Sequence, residues 1–568
     1  MVISTSFSKR FMRFYVAIAL LYLNIHSSGY AKGPIHFRDV TKNTGITFQH
    51  TDGSSGNFYL MEAMSAGLAL FDYDNDGDID IYFLNGSALK GKKFTKPPKN
   101  AMYRNDGNLK FTDVTEQSGL GDTGFGLGVT VGDYDNDGDA DVYLNNYGPN
   151  VLYRNNGDGT FTDAAKKAGV DNRSEVGAGT CFLDIDKDGY LDLYVSNYIT
   201  FSYETNVIAI MGGYKAYIDP TVYMIPPDSL YRNNGDGTFT DVSGISGIGK
   251  SRGTGMGMTC ADYDNDGDTD IFVANDQMEN FLFENDGSGK FEEVGLLAGV
   301  AYNISGTEYG SMGIDCADFD NDGLLDFYVT SYDNQWATLY KNLGDGLFED
   351  ATFYTGAGAG TFRNTTWGNS LVDFDNDGDK DIFVSLGHMQ VNVEKYLEGS
   401  TYPAQNVVLM NTGNGKFVNI SDKCGDGLKV KLSSRGAAFD DLDNDGDIDV
   451  VILNSRREPT ILRNETKNNN HWLEVRLRGV KTNRDGVGAH VKVVTGDVVR
   501  IDEVHSGRSY QSHYGTRLYF GLGEHEKIDR IEVIWIGGGV DVFKDIPADQ
   551  LITIIEGAKS LQKQELLH

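Results

Sequence analysis

One pattern limits what this chain can fold into. The motif Asp-x-Asp-x-Asp-Gly-x-x-Asp recurs seven times, starting at Asp72, Asp133, Asp184, Asp262, Asp318, Asp373 and Asp441. The mean spacing is about 61 residues, longer than the common solenoid periods. Each copy has the same surroundings. A Gly- and Ala-rich apolar stretch precedes it, as in Ala66-Gly67-Leu68-Ala69-Leu70-Phe71 or Gly126-Leu127-Gly128-Val129-Thr130-Val131. A β-rich stretch follows, such as Ile81-Tyr82-Phe83-Leu84 or Ile271-Phe272-Val273,. A third strand, a tight hairpin and a fourth strand come next, as in Leu152-Tyr153-Arg154-Asn155-Asn156-Gly157-Asp158-Gly159-Thr160-Phe161. The Asn-Gly and Asp-Gly steps supply the positive φ that such turns need. Four short strands repeated seven times predict an all-β, seven-bladed β-propeller.

The chain ends support a closed ring. The seventh copy supplies three strands and stops at Ile461-Leu462-Arg463-Asn464. Its missing fourth strand is matched by Phe37-Arg38-Asp39-Val40-Thr41, ahead of the first blade. The N-terminal segment is expected to complete the last blade and leave no open sheet edge.

The acidic loops read as cation sites. Oxygen ligands at positions 1, 3, 5 and 9, with Gly at 6 for a sharp turn, suit a hard cation such as Ca²⁺. The candidate ligands are Asp72, Asp74, Asp76 and Asp80; Asp133, Asp135, Asp137 and Asp141; Asp184, Asp186, Asp188 and Asp192; Asp262, Asp264, Asp266 and Asp270. They continue with Asp318, Asp320, Asp322 and Asp326; Asp373, Asp375, Asp377 and Asp381; Asp441, Asp443, Asp445 and Asp449. Position 7 is expected to give a backbone carbonyl. It therefore tolerates Tyr190 and Leu324 where five copies have Asp. Up to seven Ca²⁺ are implied. Mg²⁺ fits less well, because it resists dehydration into an all-protein cage.

The formal charge is −33, and 33 Asp lie in these loops. Two carboxylates about 4 Å apart repel by about 4 kcal/mol at an effective dielectric near 20. A bound cation is thus expected to be structural, bracing each blade's first hairpin. Calcium sensing is the rival, but nothing resembles a bistable helix pair. The acidity argues against nucleic acid or an anionic membrane surface as the main partner.

The first 31 residues read as a removed signal peptide. No acid precedes Asp39; Lys9, Arg10 and Arg13 lead a short apolar run from Phe14 to Ile25, and Gly29-Tyr30-Ala31 resembles a cleavage site,. No later segment has 18 uncharged apolar residues, so the mature chain is expected to lack a membrane span. The implied location is secreted, or periplasmic or cell-surface in a bacterium. Four Cys are too few for a disulfide scaffold,. Cys260 and Cys316 hold equivalent repeat positions and are expected to be buried free thiols, while Cys181 and Cys424 have no evident partner.

The acidic loops, with Leu-Tyr-Arg-Asn and Gly-Thr-Phe-Thr-Asp-Val nearby, resemble the FG-GAP (VCBS-type) repeats of integrin α-subunit propellers. The resemblance covers about residues 34–466 and implies that Asp at positions 1, 3, 5 and 9 binds Ca²⁺. The propeller is assigned to residues 32–466. From His471 the repeat stops, and alternating strands predict a small β-sandwich over 471–557, with 558–568 as a tail,. Asn483-Arg484-Asp485-Gly486-Val487-Gly488-Ala489, Gly507-Arg508-Ser509-Tyr510, Phe520-Gly521-Leu522-Gly523 and Ile531-Glu532-Val533-Ile534-Trp535 resemble the ASPIC/UnbV domain. The pairing of the two is similar to the cartilage acidic protein family. Gly537-Gly538-Gly539 departs from that pattern, which commonly has Pro-x-Gly after the Trp.

Strands that alternate direction put the acidic loops at one end of the ring and the links from strand two to strand three at the other. Three of those links are long: residues 86–100 with Lys90, Lys92, Lys93, Lys96 and Lys99; residues 198–229, rich in Tyr and Met; and residues 386–406 with His388, Tyr396 and Tyr402. A protein or glycan partner is expected on this face. The functions implied are an exported adhesion or interaction module, a lectin-like carbohydrate binder, or an extracellular hydrolase with a pocket on this face. No catalytic residue stands out: there is no Gly-x-Ser-x-Gly, Cys-x-x-Cys or phosphate-binding Gly loop,.

Overall fold

The structure is a computed structural model and describes residues 35–171 and 175–563. The signal-peptide expectation falls outside the described residues. Blade 1 consists of Leu68–Phe71, Asp80–Phe83, Ala101–Asn105 and Phe111–Asp113, paired antiparallel in sequence order. The same four-strand sheet recurs six more times round the ring. The Gly-rich first strands have a steric cause. A Cβ on Gly67 would lie 1.7 Å from the Gln511 carbonyl oxygen, and one on Gly257 would lie 2.2 Å from that of Met312. The innermost strands crowd the ring axis and leave no room for a side chain there.

The N-terminal strand joins the last sheet of the ring. Phe37–Asp39 pairs antiparallel with Thr460–Asn464, with Phe37 opposite Asn464 and Asp39 opposite Leu462. Phe37 is fully buried and meets Phe374 edge-on, with ring centroids 5.1 Å apart.

Beyond the ring, two four-stranded sheets form a sandwich. His471–Arg478 lies between Arg517–Gly523 and Gln550–Ile555 in one sheet. His490–Thr495 lies between Val498–Glu503 and Lys527–Ile534 in the other, with Val540–Pro547 at its edge. Leu473, Val475, Val491, Leu518, Ile531 and Val533 are buried between the sheets. Part of the expected tail is ordered on this domain: Gln562–Lys563 pairs with Ile552 and Thr553.

The sandwich sits against the acidic-loop face and sends a segment down the ring axis. The Ser509 amide donates to the Ile314 carbonyl (2.7 Å), and the His513 amide to that of Leu68 (3.0 Å). The Val129 amide donates to the Gln511 carbonyl (3.2 Å), and the Tyr510 hydroxyl reaches the Met64 carbonyl (3.1 Å). Residues 505–514 are all buried. The sequence reads the C-terminal part as an accessory following the propeller; folded, it fills the propeller's centre. At the other end, a helix at Leu60–Met64 closes the axis, and the buried Arg435 guanidinium donates to the Ala63 carbonyl (3.1 Å).

Candidate metal centres

Each acidic loop is preshaped by its own backbone. The position-1 Asp accepts amide hydrogen bonds from position 5 through one oxygen and from the position-6 Gly through the other, at 2.6–3.2 Å in all seven copies. The position-9 Asp accepts the amide of the Asn that ends the third strand, at 2.7–2.8 Å in every copy. Position 4 adopts left-handed φ, from +56° to +63°, in all seven. Asn tolerates that region, and Lys187 is the one departure,.

This backbone gathers the predicted side chains. Carboxylate oxygens from positions 1, 3 and 9 lie within 4.8 Å of one another in the copies beginning at Asp72, Asp133, Asp184, Asp262 and Asp318, and two further groups of this kind exist. The copies beginning at Asp373 and Asp441 repeat the same loop hydrogen bonds. Position 5 stands outside the five named triads; one of its oxygens accepts the position-7 amide, as Asp76 does from Asp78 at 2.9 Å.

The donor set fits a hard divalent cation. One buried oxygen on each of Asp74, Asp135, Asp186, Asp320 and Asp443, all at position 3, has no hydrogen-bond partner. Buried polar atoms are normally satisfied, so five equivalent orphan oxygens, four of them on position-3 members of the named triads, fit a cation. The electrostatics agree. Burial pushes the position-9 residues Asp80, Asp141, Asp192, Asp270, Asp326, Asp381 and Asp449 well above the usual carboxylate range. Burial also pushes Asp184 and Asp318 up to about 7. Without a cation beside them, the position-9 carboxyls favour the protonated form,. Asp72, Asp133, Asp184, Asp262, Asp318, Asp373 and Asp441, with their position-3, -5 and -9 partners, are the residues that could hold the ion.

Two sets of residues escaped the sequence reading. The strand-ending Asn105, Asn155, Asn233, Asn285, Asn342, Asn411 and Asn464 each donate a side-chain bond to the position-2 carbonyl of the preceding blade, such as Asn105 to Leu442 at 2.8 Å. Their presence in all seven repeats was the available signal. The position-4 residues link neighbouring loops: Asn75 donates to Asp139 (2.8 Å), Asn376 to Asp447 (2.8 Å) and Asn444 to Asp78 (2.8 Å), while Lys187 pairs with Asp268. Where position 7 is Asp, its side chain has this bridging use besides any carbonyl ligand.

The sandwich reads five of the loops. Arg476 pairs with Asp72 (3.2 Å), Asp485 accepts the Asp133 amide (2.7 Å) and Glu503 accepts that of Asp262 (3.1 Å). Lys380 in the sixth loop pairs with Asp502 (2.8 Å), and the Asp441 amide donates to Tyr519 (3.1 Å). Of the other residues singled out, His388 is buried beside Tyr332, accepts the Gln390 amide at Nδ1 (2.9 Å), and is lowered to about 4 by burial and by Arg435. All four Cys are buried and unpaired; Cys181 shares a core cluster with Cys260, whereas Cys316 lies in another.

The three expanded links converge. Asn206 donates to the Asn57 carbonyl (3.1 Å), whose side chain donates to Lys90 (3.2 Å), and Asn392 donates to the Lys215 carbonyl (3.0 Å). Among the described residues, no helix is long and apolar enough to cross a membrane.

Comparison with known proteins agrees with this architecture. The FG-GAP-like repeat matches residues 72–144, 133–195, 222–273, 262–329 and 318–384, together more than half of the chain. The ASPIC and UnbV family matches residues 479–561. Cartilage acidic protein 1 of Homo sapiens is 26% identical over 528 residues, covering 87% of this chain and 72% of that protein. The Xenopus tropicalis protein of the same name is 24% identical over 504 residues, covering 84% and 71%. A solved Agrocybe aegerita lectin that recognises non-reducing terminal N-acetylglucosamine is 17% identical, covering 71% of this chain and 94% of that one, with a TM-score of 0.39. The chain belongs to the FG-GAP-like repeat family, in a form that carries a C-terminal ASPIC and UnbV segment.

Proposed function

We propose that this protein is an exported, calcium-braced propeller that serves as an adhesion or interaction module. Ca²⁺ would occupy the seven aspartate loops as a structural ion and neutralise the carboxylates of positions 1, 3, 5 and 9. The observation that carries this reading is the set of unpartnered, buried position-3 oxygens within the clusters of aspartate carboxylates. The sandwich covers the loop end of the ring, so the face with residues 86–100, 198–229 and 386–406 is the one left for a partner. Calorimetric titration of EDTA-stripped protein with Ca²⁺ tests the first part; a stoichiometry near seven supports it, and no uptake rejects it. Deleting residues 209–216 tests the second; a correctly folded variant that retains its exported partner counts against the face.

A second reading is a carbohydrate binder. A groove of about 430 Å³ beside blade 6 is lined by Asn364, Thr401, Gln405, Asn406, Asn419 and Ser421 among others. Amide and hydroxyl groups of this kind suit sugar hydroxyls. A glycan array separates the two readings.

A further inference from the structure

The face opposite the sandwich concentrates exposed apolar side chains in a single insertion. Met224 is 71% exposed, Ile210 66% and Val222 51%, and Val207, Met211 and Tyr214 are exposed as well. Ile210, Met211 and Tyr214 belong to a hairpin, Ala209–Met211 with Tyr214–Ala216, in which Ile210 pairs with Lys215 and Met211 with Tyr214. Its two-residue turn is Gly212-Gly213, both at positive φ, which matches the twist of a tight hairpin. The hairpin is held from the side. Tyr214 stacks on Tyr396 at 6.5 Å, and the Lys395 ammonium lies 5.3 Å from the Tyr214 ring centre.

A basic loop adjoins it. Residues 86–100 contain five Lys and no acid, with Lys90, Lys92, Lys93 and Lys96 exposed. The Lys90 ammonium lies 5.5 Å from the Tyr203 ring centre and 3.5 Å from Glu204, which ties this loop to the insertion. The exposed acids of the three links are Glu204, Asp219, Glu394 and Glu398. The surface is thus apolar with a lysine-rich flank, on a chain whose formal charge is −33. That total sits largely in the metal loops at the other end of the ring. At physiological salt the Debye length is about 8 Å, so an approaching surface meets the local charges rather than the sum.

Resting on the reading of this face as the partner surface, we propose that it docks onto an anionic phospholipid surface. The apolar side chains of the hairpin and of residues 207–224 enter the interface, while Lys90, Lys92, Lys93 and Lys96 meet the headgroups. The hairpin is exposed on both strands. A protein partner would need a complementary hollow for it, whereas a lipid surface accepts projecting apolar side chains beside lysines directly. Whole-chain charge alone predicts the opposite, and the segregation of charge is what reverses it.

The test is co-flotation of the full, calcium-loaded chain with vesicles of phosphatidylcholine alone, or mixed with phosphatidylglycerol. The expected result is at least about tenfold stronger partition onto the mixed vesicles, weakened by added salt. Ile210→Asp with Met224→Asp, and separately Lys90→Glu, Lys92→Glu, Lys93→Glu and Lys96→Glu together, should each reduce it about tenfold. Leu297→Asp, an exposed apolar position on the outer rim of blade 4, should leave it unchanged. Melting temperatures near that of the parent exclude misfolding. No preference for the mixed vesicles overturns the proposal, as does binding retained by both loop variants, which would mean calcium bridging elsewhere. Capture on soluble polyaspartate without vesicle binding overturns it in favour of an acidic protein. If the loop variants lose an exported protein partner while vesicles never bind, the face stands as a partner surface and the lipid assignment fails.

Discussion

Asp80 shows how much one side chain does in these loops. One of its oxygens accepts the Tyr73 amide (3.0 Å) and the other the Asn105 amide (2.7 Å), so it fastens the loop start to the third strand while facing Asp72 and Asp74. Asp80→Asn keeps the size, but puts an amide where one acceptor stood and removes a charge from the proposed ion. A cost of about 1–3 kcal/mol is expected, together with loss of one Ca²⁺ from the calorimetric stoichiometry; unchanged stoichiometry would remove Asp80 from the ligand set. Asp276 gives the contrasting case, a buried carboxylate away from the triads that accepts from the Tyr198 hydroxyl at 2.7 Å. Burial pushes it up to about 7. Because the folded value exceeds the unfolded one, its stabilising contribution is full below the ordinary carboxylate range and is lost as pH rises through about 7. Asp276→Asn, which keeps an acceptor for Tyr198, should therefore be more stable than the parent above pH 8, by about 2–4 kcal/mol, and lose that advantage near pH 4. Equal stability at both ends of the range would refute the shift. The loop carboxylates were legible because their pattern is local, nine residues long and repeated seven times. The strand-ending Asn residues were not singled out, because Asn105 acts on Leu442, across the closure of the ring.

At the scale of elements, legibility followed sequence distance. Short strands, Asn-Gly turns and the missing fourth strand all lie within one repeat or at its two ends, and they predict the blades and the Phe37–Asp39 closure. The Gly-rich first strands carried a further signal: an axis too crowded for side chains at Gly67 and Gly257. What fills that axis was hidden, since residues 505–514 bond to strands far away in sequence, as Ser509 does to Ile314 and Asn369 and His513 to Leu68. Arg508 is the clearest member of this plug. It is buried, its Nε donates to Asp315 (2.6 Å), and its Nη2 donates to the Cys316 carbonyl (3.1 Å). Arg508→Ala leaves a buried carboxylate unpaired, and a loss of about 3–5 kcal/mol is expected in denaturant titration. Adding Asp315→Asn to Arg508→Met removes the stranded charge while keeping an acceptor for the Leu371 amide, which Asp315 now binds at 2.7 Å. That double variant should recover at least half of the loss. If it fares no better than Arg508→Ala, the ion pair is not what holds the plug.

For the whole molecule, the acidic loops and the sandwich form one linked structure. Five loops meet the C-terminal domain through their own amides or side chains, as at Asp72 with Arg476 and Asp133 with Asp485. The connecting residues Asn468 and Asn470 both donate to the Asp375 carbonyl, at 2.6 and 2.7 Å. Whatever sets the shape of the loops therefore also sets how the sandwich is seated. At free Ca²⁺ ten times Kd, each occupied site would add roughly 1.4 kcal/mol, so seven would add about 10. That is comparable to the whole stability of a typical domain, about 5–15 kcal/mol. Removing calcium should then do more than lower the melting temperature. The loops would take up protons or splay apart, and the contacts that seat the sandwich would weaken with them. Lys467 is exposed in the segment between ring and sandwich. In millimolar Ca²⁺, trypsin should leave the chain largely intact; in EDTA, the melting temperature should fall by at least about 10 °C, and cleavage at Lys467 should release a fragment beginning at Asn468. Magnesium at the same concentration should protect poorly, because an all-protein oxygen cage suits the larger ion. Identical melting and digestion with and without EDTA would separate the aspartate loops from the stability of the ring and from the seating of the domain that plugs it.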